Sequence, residues 1–230
     1  MSAVAAPASI ARVARFYEST VGKKAVMAIT GVLLFGFVVT HLLGNLQFYL
    51  GREALDAYGA SLRHLGPLLW VARGVLLIAV MAHLFSALQL WKANSAARPV
   101  AYQKHTPVSS SYASRTMMIS GPMLFLFIFF HLRHLTFGPD LKHYPDTGYP
   151  MVYDNVVAGF SDPIAVGIYV LAMLFLGSHL LHGVWSMFQS LGFSHPKYTP
   201  KLRMLATVIA ALIVIGNISI PLSVLLGFHQ

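Results

Sequence analysis

Four histidines, His41, His83, His131 and His179, each lie deep inside a different long apolar stretch of this 230-residue chain. An ionisable side chain at membrane depth is expensive and marks a functional site by default. Imidazole is the commonest metal ligand among side chains. Two imidazoles on one iron fill both axial positions of a haem, which then carries electrons and has no place for oxygen or substrate. The pattern therefore predicts a protein that grips two haems between helices. The competing reading makes each histidine a helix-to-helix hydrogen bond, but four histidines paired by depth favour ligation.

Composition agrees with a bilayer setting. Charged residues are 10% of the chain and the mean hydropathy is +0.67, against about 25% charged in a soluble domain. No length is left for a separate soluble catalytic domain, and no catalytic residue is expected on this chain. Cysteine is absent, which excludes thiolate iron–sulfur ligation, disulfides and cysteine nucleophiles. The net charge of +9 does not indicate nucleic acid, because the basic residues are divided among loops between apolar spans. The N-terminal stretch MSAVAAPASIARVARFYEST has no apolar run ending in a small-residue cleavage site, so the first span is expected to stay in the mature protein.

The elements that position the histidines are five apolar segments near 24–50, 66–91, 115–137, 163–191 and 203–228. Each is long enough to cross a bilayer as a helix. Continuous runs such as AVMAITGVLLFGFVVTHLL do not alternate as barrel strands would, and lipid forces helices otherwise. The expected fold is all-α: a polytopic bundle of five transmembrane helices around two haems. Residues 1–23 form an N-terminal arm and residues 24–228 one membrane domain. Lys and Arg set the direction. Arg12, Arg15, Lys23, Lys24, Lys92, Arg98, Lys104, Arg115, Lys197, Lys201 and Arg203 fall on one side. The other side has Arg52, Arg63 and Lys142 among Glu53, Asp56, Asp140, Asp146, Asp154 and Asp162. The N-terminus is thus expected in the cytoplasm. The segment 138–162 is the longest external one and is expected to cover the outer face.

Depth then pairs the histidines. His41 and His131 each lie about 16 residues into spans that run outward, roughly 24 Å from the inner surface. His83 and His179 lie similarly far into spans that run inward. The chain predicts an outer pair, His41 with His131, and an inner pair, His83 with His179, separated by roughly 15–20 Å. Spans one and two match spans three and four as a weak parallel repeat, and the fifth span packs the bundle.

Neighbouring residues fit a flat ring. Gly44 follows His41 at i+3, while Ala87 and Gly183 follow His83 and His179 at i+4, which puts small residues one turn away. Arg73 and Arg133 in the outer halves are candidate partners of haem propionates, against a reading in which they snorkel to the interface. His134 and His182 share faces with His131 and His179. Depth favours His131 over His134, and does not separate His179 from His182.

The segments GKKAVMAITGVLLFGFVVTHLLGNLQFYLG, LRHLGPLLWVARGVLLIAVMAHLFSALQLW, SRTMMISGPMLFLFIFFHLRHLTFG and HLLHGVWSMFQSLG resemble the single-subunit, dihaem cytochrome b anchor of succinate:quinone oxidoreductases (succinate dehydrogenase or fumarate reductase, complex II). The resemblance implies haem b held by His41 and His131 on the outer side and by His83 and His179 on the inner side. It favours His179 over His182, leaving His182 as a group near the haem, by a propionate. It implies cytoplasmic flavoprotein and iron–sulfur subunits carrying FAD and the clusters, electrons passing through the inner haem and then the outer one, and membrane quinone as substrate. Succinate oxidation itself would lie on the partner subunits. It implies an integral membrane protein of the bacterial cytoplasmic (inner) membrane, with a higher oligomer of the complex allowed. Ser19, Lys24, Glu53 and His64 all suit a quinone site, and none is singled out.

Two other readings compete. Cytochrome b subunits of hydrogenase, formate dehydrogenase or nitrate reductase also pair histidines in bundles, but the motif match across five spans argues against them. A transporter or proton channel with a histidine relay predicts broken helices and an acidic mid-membrane path, which the spans lack.

Overall fold

The structure, a computed structural model, describes residues 12, 15–97 and 111–228. Much of the expected arm, together with Arg98 and Lys104 of the second loop, lies outside the described residues. Five helices are long and apolar enough to cross a membrane. They are α1 (Thr20–Asn45), α3 (Pro67–Ala96), α4 (Met117–Leu135), α6 (Pro163–Ser190) and α7 (Thr199–Leu225). Among the described residues there is no β-strand, only an isolated bridge between His143 and Pro150.

Local chemistry explains where the helices start. Ser19 caps α1 by accepting from the Gly22 amide at 2.9 Å, satisfying one of the orphan donors of a first turn. Asp162 does the same for α6 through Ile164 N at 2.9 Å. Pro67 and Pro163 open α3 and α6, where a missing N–H costs nothing. Gly51 and Gly66 have φ of +96° and +53°, left-handed turns suited to glycine that separate the helix Arg52–His64 from its neighbours.

The spans run up and down, with α1 on α3, α4 on α6, α6 on α7 and α1 on α6 as the main packings. Small residues bring α6, α7 and α1 close. A Cβ on Gly177 would lie 2.8 Å from Val214 Cγ2, and one on Gly216 3.0 Å from Leu42 Cδ1, a close approach typical of helix association in lipid. Leu42, Leu180, Val184, Ala206, Ala210 and Ile213 form the buried seam there. Leu77, Ile78, Leu126, Phe129, Leu212 and Ile215 face outward and exposed, as a surface solvated by lipid tails allows.

Two further helices close one end of the bundle. They are α2 (Arg52–His64) and α5 (Val152–Phe160), both in segments read from the sequence only as connections. α2 buries Leu55 and keeps its charged side outward, so it lies over the end as an amphipathic element. Asp56 ties the cap together by accepting from Tyr144 Oη at 2.7 Å and from Tyr153 N at 2.9 Å. Asn155 is buried and exchanges two bonds with the Lys142 backbone, at 2.7 and 2.9 Å. Arg52 pairs with Asp154. Phe48 stacks on Tyr153 with ring centroids 5.2 Å apart, and a cluster of Phe48, Leu55, Tyr153, Phe160, Tyr169 and Val224 joins cap to bundle. At the opposite end Lys24, Lys92, Arg115, Lys197, Lys201 and Arg203 are exposed.

Candidate functional site: two histidine pairs in layers

The four histidines meet as two pairs. His41 on α1 and His131 on α4 have ring centroids 5.7 Å apart, and His83 on α3 and His179 on α6 have theirs 6.3 Å apart. All four rings are half-buried. Neither α1 with α4 nor α3 with α6, the helices that carry each pair, is among the main packed pairs. The imidazoles span gaps that the backbones leave open. Two imidazoles bonded to one metal ion from opposite sides have centroids roughly 6 Å apart, for metal–nitrogen bonds of about 2 Å.

Three of the four rings are held at Nδ1 by a hydroxyl from another helix. Thr30 Oγ1 on α1 lies 3.1 Å from Nδ1 of His83. Ser120 Oγ on α4 lies 3.3 Å from Nδ1 of His179, and Tyr169 Oη on α6 lies 3.0 Å from Nδ1 of His131. Thr30 already donates its proton to the Val26 carbonyl at 2.7 Å, and Ser120 donates to the Met117 carbonyl at 3.4 Å. A hydroxyl has one proton, so the Thr30 oxygen, its proton on the Val26 carbonyl, is left to accept from His83. A His83 that donates from Nδ1 leaves the Nε2 lone pair free for a metal, the arrangement by which outer partners fix ligating histidines, and Ser120 stands in the same relation to His179. Space beside the His83/His179 pair comes from glycines next to those hydroxyls on α1 and α4. A Cβ on Gly31 would lie 3.7 Å from His83 Cε1, and one on Gly121 4.0 Å from His179 Cε1.

These contacts follow a repeat in the chain. Thr30-Gly31, Phe37 and His41 on α1 recur with identical spacing as Ser120-Gly121, Phe127 and His131 on α4. The hydroxyl and the outer histidine are eleven residues apart in both helices, about three turns and roughly 16 Å of rise on one face. Each helix thus gives its hydroxyl and glycine to one layer and its histidine to the other. Phe37 stacks on His41 with centroids 5.2 Å apart, and Phe127 leans on His131 at 5.8 Å. Reading only the histidines of the apolar runs missed Thr30, Gly31, Ser120, Gly121 and Tyr169. The eleven-residue spacing would have found the first four.

The remaining candidates fall elsewhere. The space at Gly44 is filled by the Tyr58 ring, which a Cβ would meet at 2.5 Å, so this glycine admits α2 rather than lying open toward a cofactor. Gly183 faces its own His179, with a Cβ 3.9 Å from Cδ2. Arg73 lies over the Trp70 ring at 4.8 Å. Arg133 is exposed, with Nη1 3.1 Å from a Cβ built on Gly138. His134 sits beside Tyr169 at 3.1 Å, and His182 is half-buried one turn beyond His179. Ser86, one turn beyond His83, is fully buried, and its hydroxyl has no hydrogen-bond partner among the described residues. An orphaned polar atom beside a histidine pair is the kind of group that a bound cofactor satisfies.

Among the described residues no cluster of three or more His, Cys, Asp or Glu could hold a bare metal ion. A haem asks for less, since the macrocycle supplies four in-plane nitrogens and the protein two axial ones. A cavity of about 280 Å³ in the cap, lined by Asp56, Tyr144, Asp146 and Tyr149 among others, includes none of the paired histidines.

No curated protein and no solved structure matches the chain. The family model described as succinate dehydrogenase/fumarate reductase transmembrane subunit matches residues 92–216. That stretch covers more than half of the 230 residues. It runs from the end of α3 through most of α7 and contains His131 and His179, while His41 and His83 precede it. A membrane-embedded helical bundle with layered histidine pairs agrees with that match: the chain belongs to the family of succinate dehydrogenase/fumarate reductase transmembrane subunits.

Proposed function

We propose that this chain is the dihaem cytochrome b anchor of a succinate:quinone oxidoreductase. The observation that carries the reading is the arrangement of four histidines as two facing pairs, in layers roughly 16 Å apart along α1 and α4. His41 and His131 would hold one haem b, and His83 and His179 the other. When bound, haem b supplies reversible one-electron transfer between the partner subunits and membrane quinone. The chain's own residues bind and orient. Thr30 and Ser120 would keep Nδ1 of His83 and His179 protonated, leaving Nε2 free to bind the haem. Gly31 and Gly121 keep the ring edges free, and Ser86 offers a hydroxyl to the bound group. Two imidazoles on each haem would leave no ligand position for water or oxygen, so the haem would carry electrons and bind no substrate.

The exposed basic end, with Lys24, Lys92, Arg115, Lys197, Lys201 and Arg203, is the docking face for the flavoprotein and iron–sulfur subunits, which bring FAD and the clusters. The positive-inside rule puts that end in the cytoplasm and the cap outside, in a bacterial cytoplasmic membrane. Family membership supports the partner subunits and the quinone, and runs against a hydrogenase, formate dehydrogenase or nitrate reductase partner.

The test is an optical difference spectrum of the purified complex, reduced by succinate and then by dithionite, with haem counted per chain in four alanine variants. His83→Ala and His179→Ala should lose one and the same haem b, and His41→Ala and His131→Ala the other. Haem content unchanged in all four variants sinks the scheme.

A further inference from the structure

The outer pair is held differently from the inner one. Tyr169 of α6 places its hydroxyl 3.0 Å from Nδ1 of His131 and 3.1 Å from Nδ1 of His134. The phenol is 6% exposed, and Phe127, Phe130 and Phe160 stand edge-on to its ring at 5.0, 5.9 and 4.7 Å. One phenol carries one proton, so it can donate to only one of the two imidazoles.

The ligand reading of His131 decides the direction. An Nε2 lone pair free toward His41, whose ring centroid lies 5.7 Å away, requires the ring proton of His131 on Nδ1. Nδ1–H of His131 then donates to the Tyr169 oxygen, and the phenol proton is left for Nδ1 of His134. The His134 ring lies on Gly159, where a Cβ would come within 2.9 Å of Cε1 and of Nε2.

We propose that Tyr169 is a positioning residue for His131, its hydroxyl proton held by His134, so that the pair His134–Tyr169 fixes the tautomer of the outer histidine and tunes the haem it binds. This rests on the reading of His131 as an axial ligand. An acceptor on Nδ1–H makes an imidazole a stronger electron donor and favours the ferric iron. Removing the acceptor favours the ferrous form. Removing His134 instead frees the Tyr169 proton to turn toward Nδ1 of His131. That stabilises the tautomer with hydrogen on Nε2, which cannot ligate.

The experiment uses the whole purified complex with Tyr169→Phe, His134→Leu and the double variant, read by haem per chain, optical redox titration and low-temperature electron paramagnetic resonance. Tyr169→Phe should keep two haems. At fixed ambient potential it should raise the ferrous-to-ferric ratio of one of them about threefold to tenfold. That haem should be the one missing in His131→Ala. His134→Leu should shed this haem, and the double variant should regain it. The proposal is overturned by an unmoved ratio in Tyr169→Phe, by loss of haem in that variant, or by a double variant no better than His134→Leu. If His131→Ala itself keeps both haems, the ligand assignment fails first, and the two failures are told apart by that variant.

Discussion

Thr30 of α1 holds Nδ1 of His83 at 3.1 Å, although the histidine carried by α1 itself, His41, belongs to the other layer and faces His131. Ser120 and His179 repeat the relation at 3.3 Å. The bundle is therefore cross-tied: no layer is built from two helices alone. Thr30→Val keeps the shape and removes the acceptor. Losing such a partner typically weakens metal binding 10–100-fold, so about a tenfold weaker retention of the inner haem is expected, measured as haem per chain after repeated washing. The haem that weakens should be the one lost in His83→Ala. Weakening of the His41 haem instead would break the cross-tie.

Space at the inner layer gives a second outcome. A Cβ on Gly31 sits at 3.7 Å from His83 Cε1, which is ordinary van der Waals contact, so Gly31→Ala should keep both haems. Gly31→Leu drives a branched side chain against the ring and the space beside it. Overpacking of this kind costs about 1–3 kcal/mol, enough to displace the imidazole from a ligating position. One haem per chain should be lost while the outer haem keeps its spectrum. Two full haems in the leucine variant would mean that the ring edge is not confined there.

The spans were readable because their signal is long and redundant: runs of apolar residues with no acidic break admit only helices in lipid. Pairing by depth was readable for the same reason, since rise per residue converts position into height. The hydroxyls were not picked out, because a lone Thr30 or Ser120 in an apolar helix commonly bonds its own backbone, and both also do so here. Only their matched eleven-residue distance to His41 and His131 distinguishes them. Gly44 misled because a small residue one turn from a histidine can admit a cofactor or a neighbouring side chain, and here it admits Tyr58. The helices α2 and α5 escaped because they are short, 13 and 9 residues, and because part of what holds them comes from afar: Asp56 and Asn155 find partners 88 and 13 residues away in sequence.

Asp56 accepts two hydrogen bonds that join α2 to the 138–151 segment and to α5. Asp56→Ala removes both. Bonds to a charged acceptor contribute more than neutral ones, but this site borders water, so about 1–2 kcal/mol of local cap stability is expected to go. The Tyr153 amide should then exchange with solvent roughly 5–30 times faster, while the histidine pairs, away from the cap hydrogen bonds, keep their haem. Unchanged exchange at Tyr153 would show that the apolar cluster, not Asp56, holds α5 down.

The same carboxylate sets a pH dependence. Tyr144 donates to Asp56 at 2.7 Å, and that hydrogen bond, with smaller help from burial and from the carboxylate charge, lifts the phenol above its ordinary value of 10.0. A group raised on folding stabilises the fold below its unfolded value and stops doing so as pH rises through the folded one. Exchange of the Tyr153 amide, once corrected for the intrinsic base-catalysed rate, should therefore be flat between about pH 7 and 9. It should accelerate above about pH 10, as a phenolate forms beside Asp56 and repels it. Tyr144→Phe should exchange faster than the parent at neutral pH and show no such rise. A variant that keeps the alkaline rise would place its origin in another group.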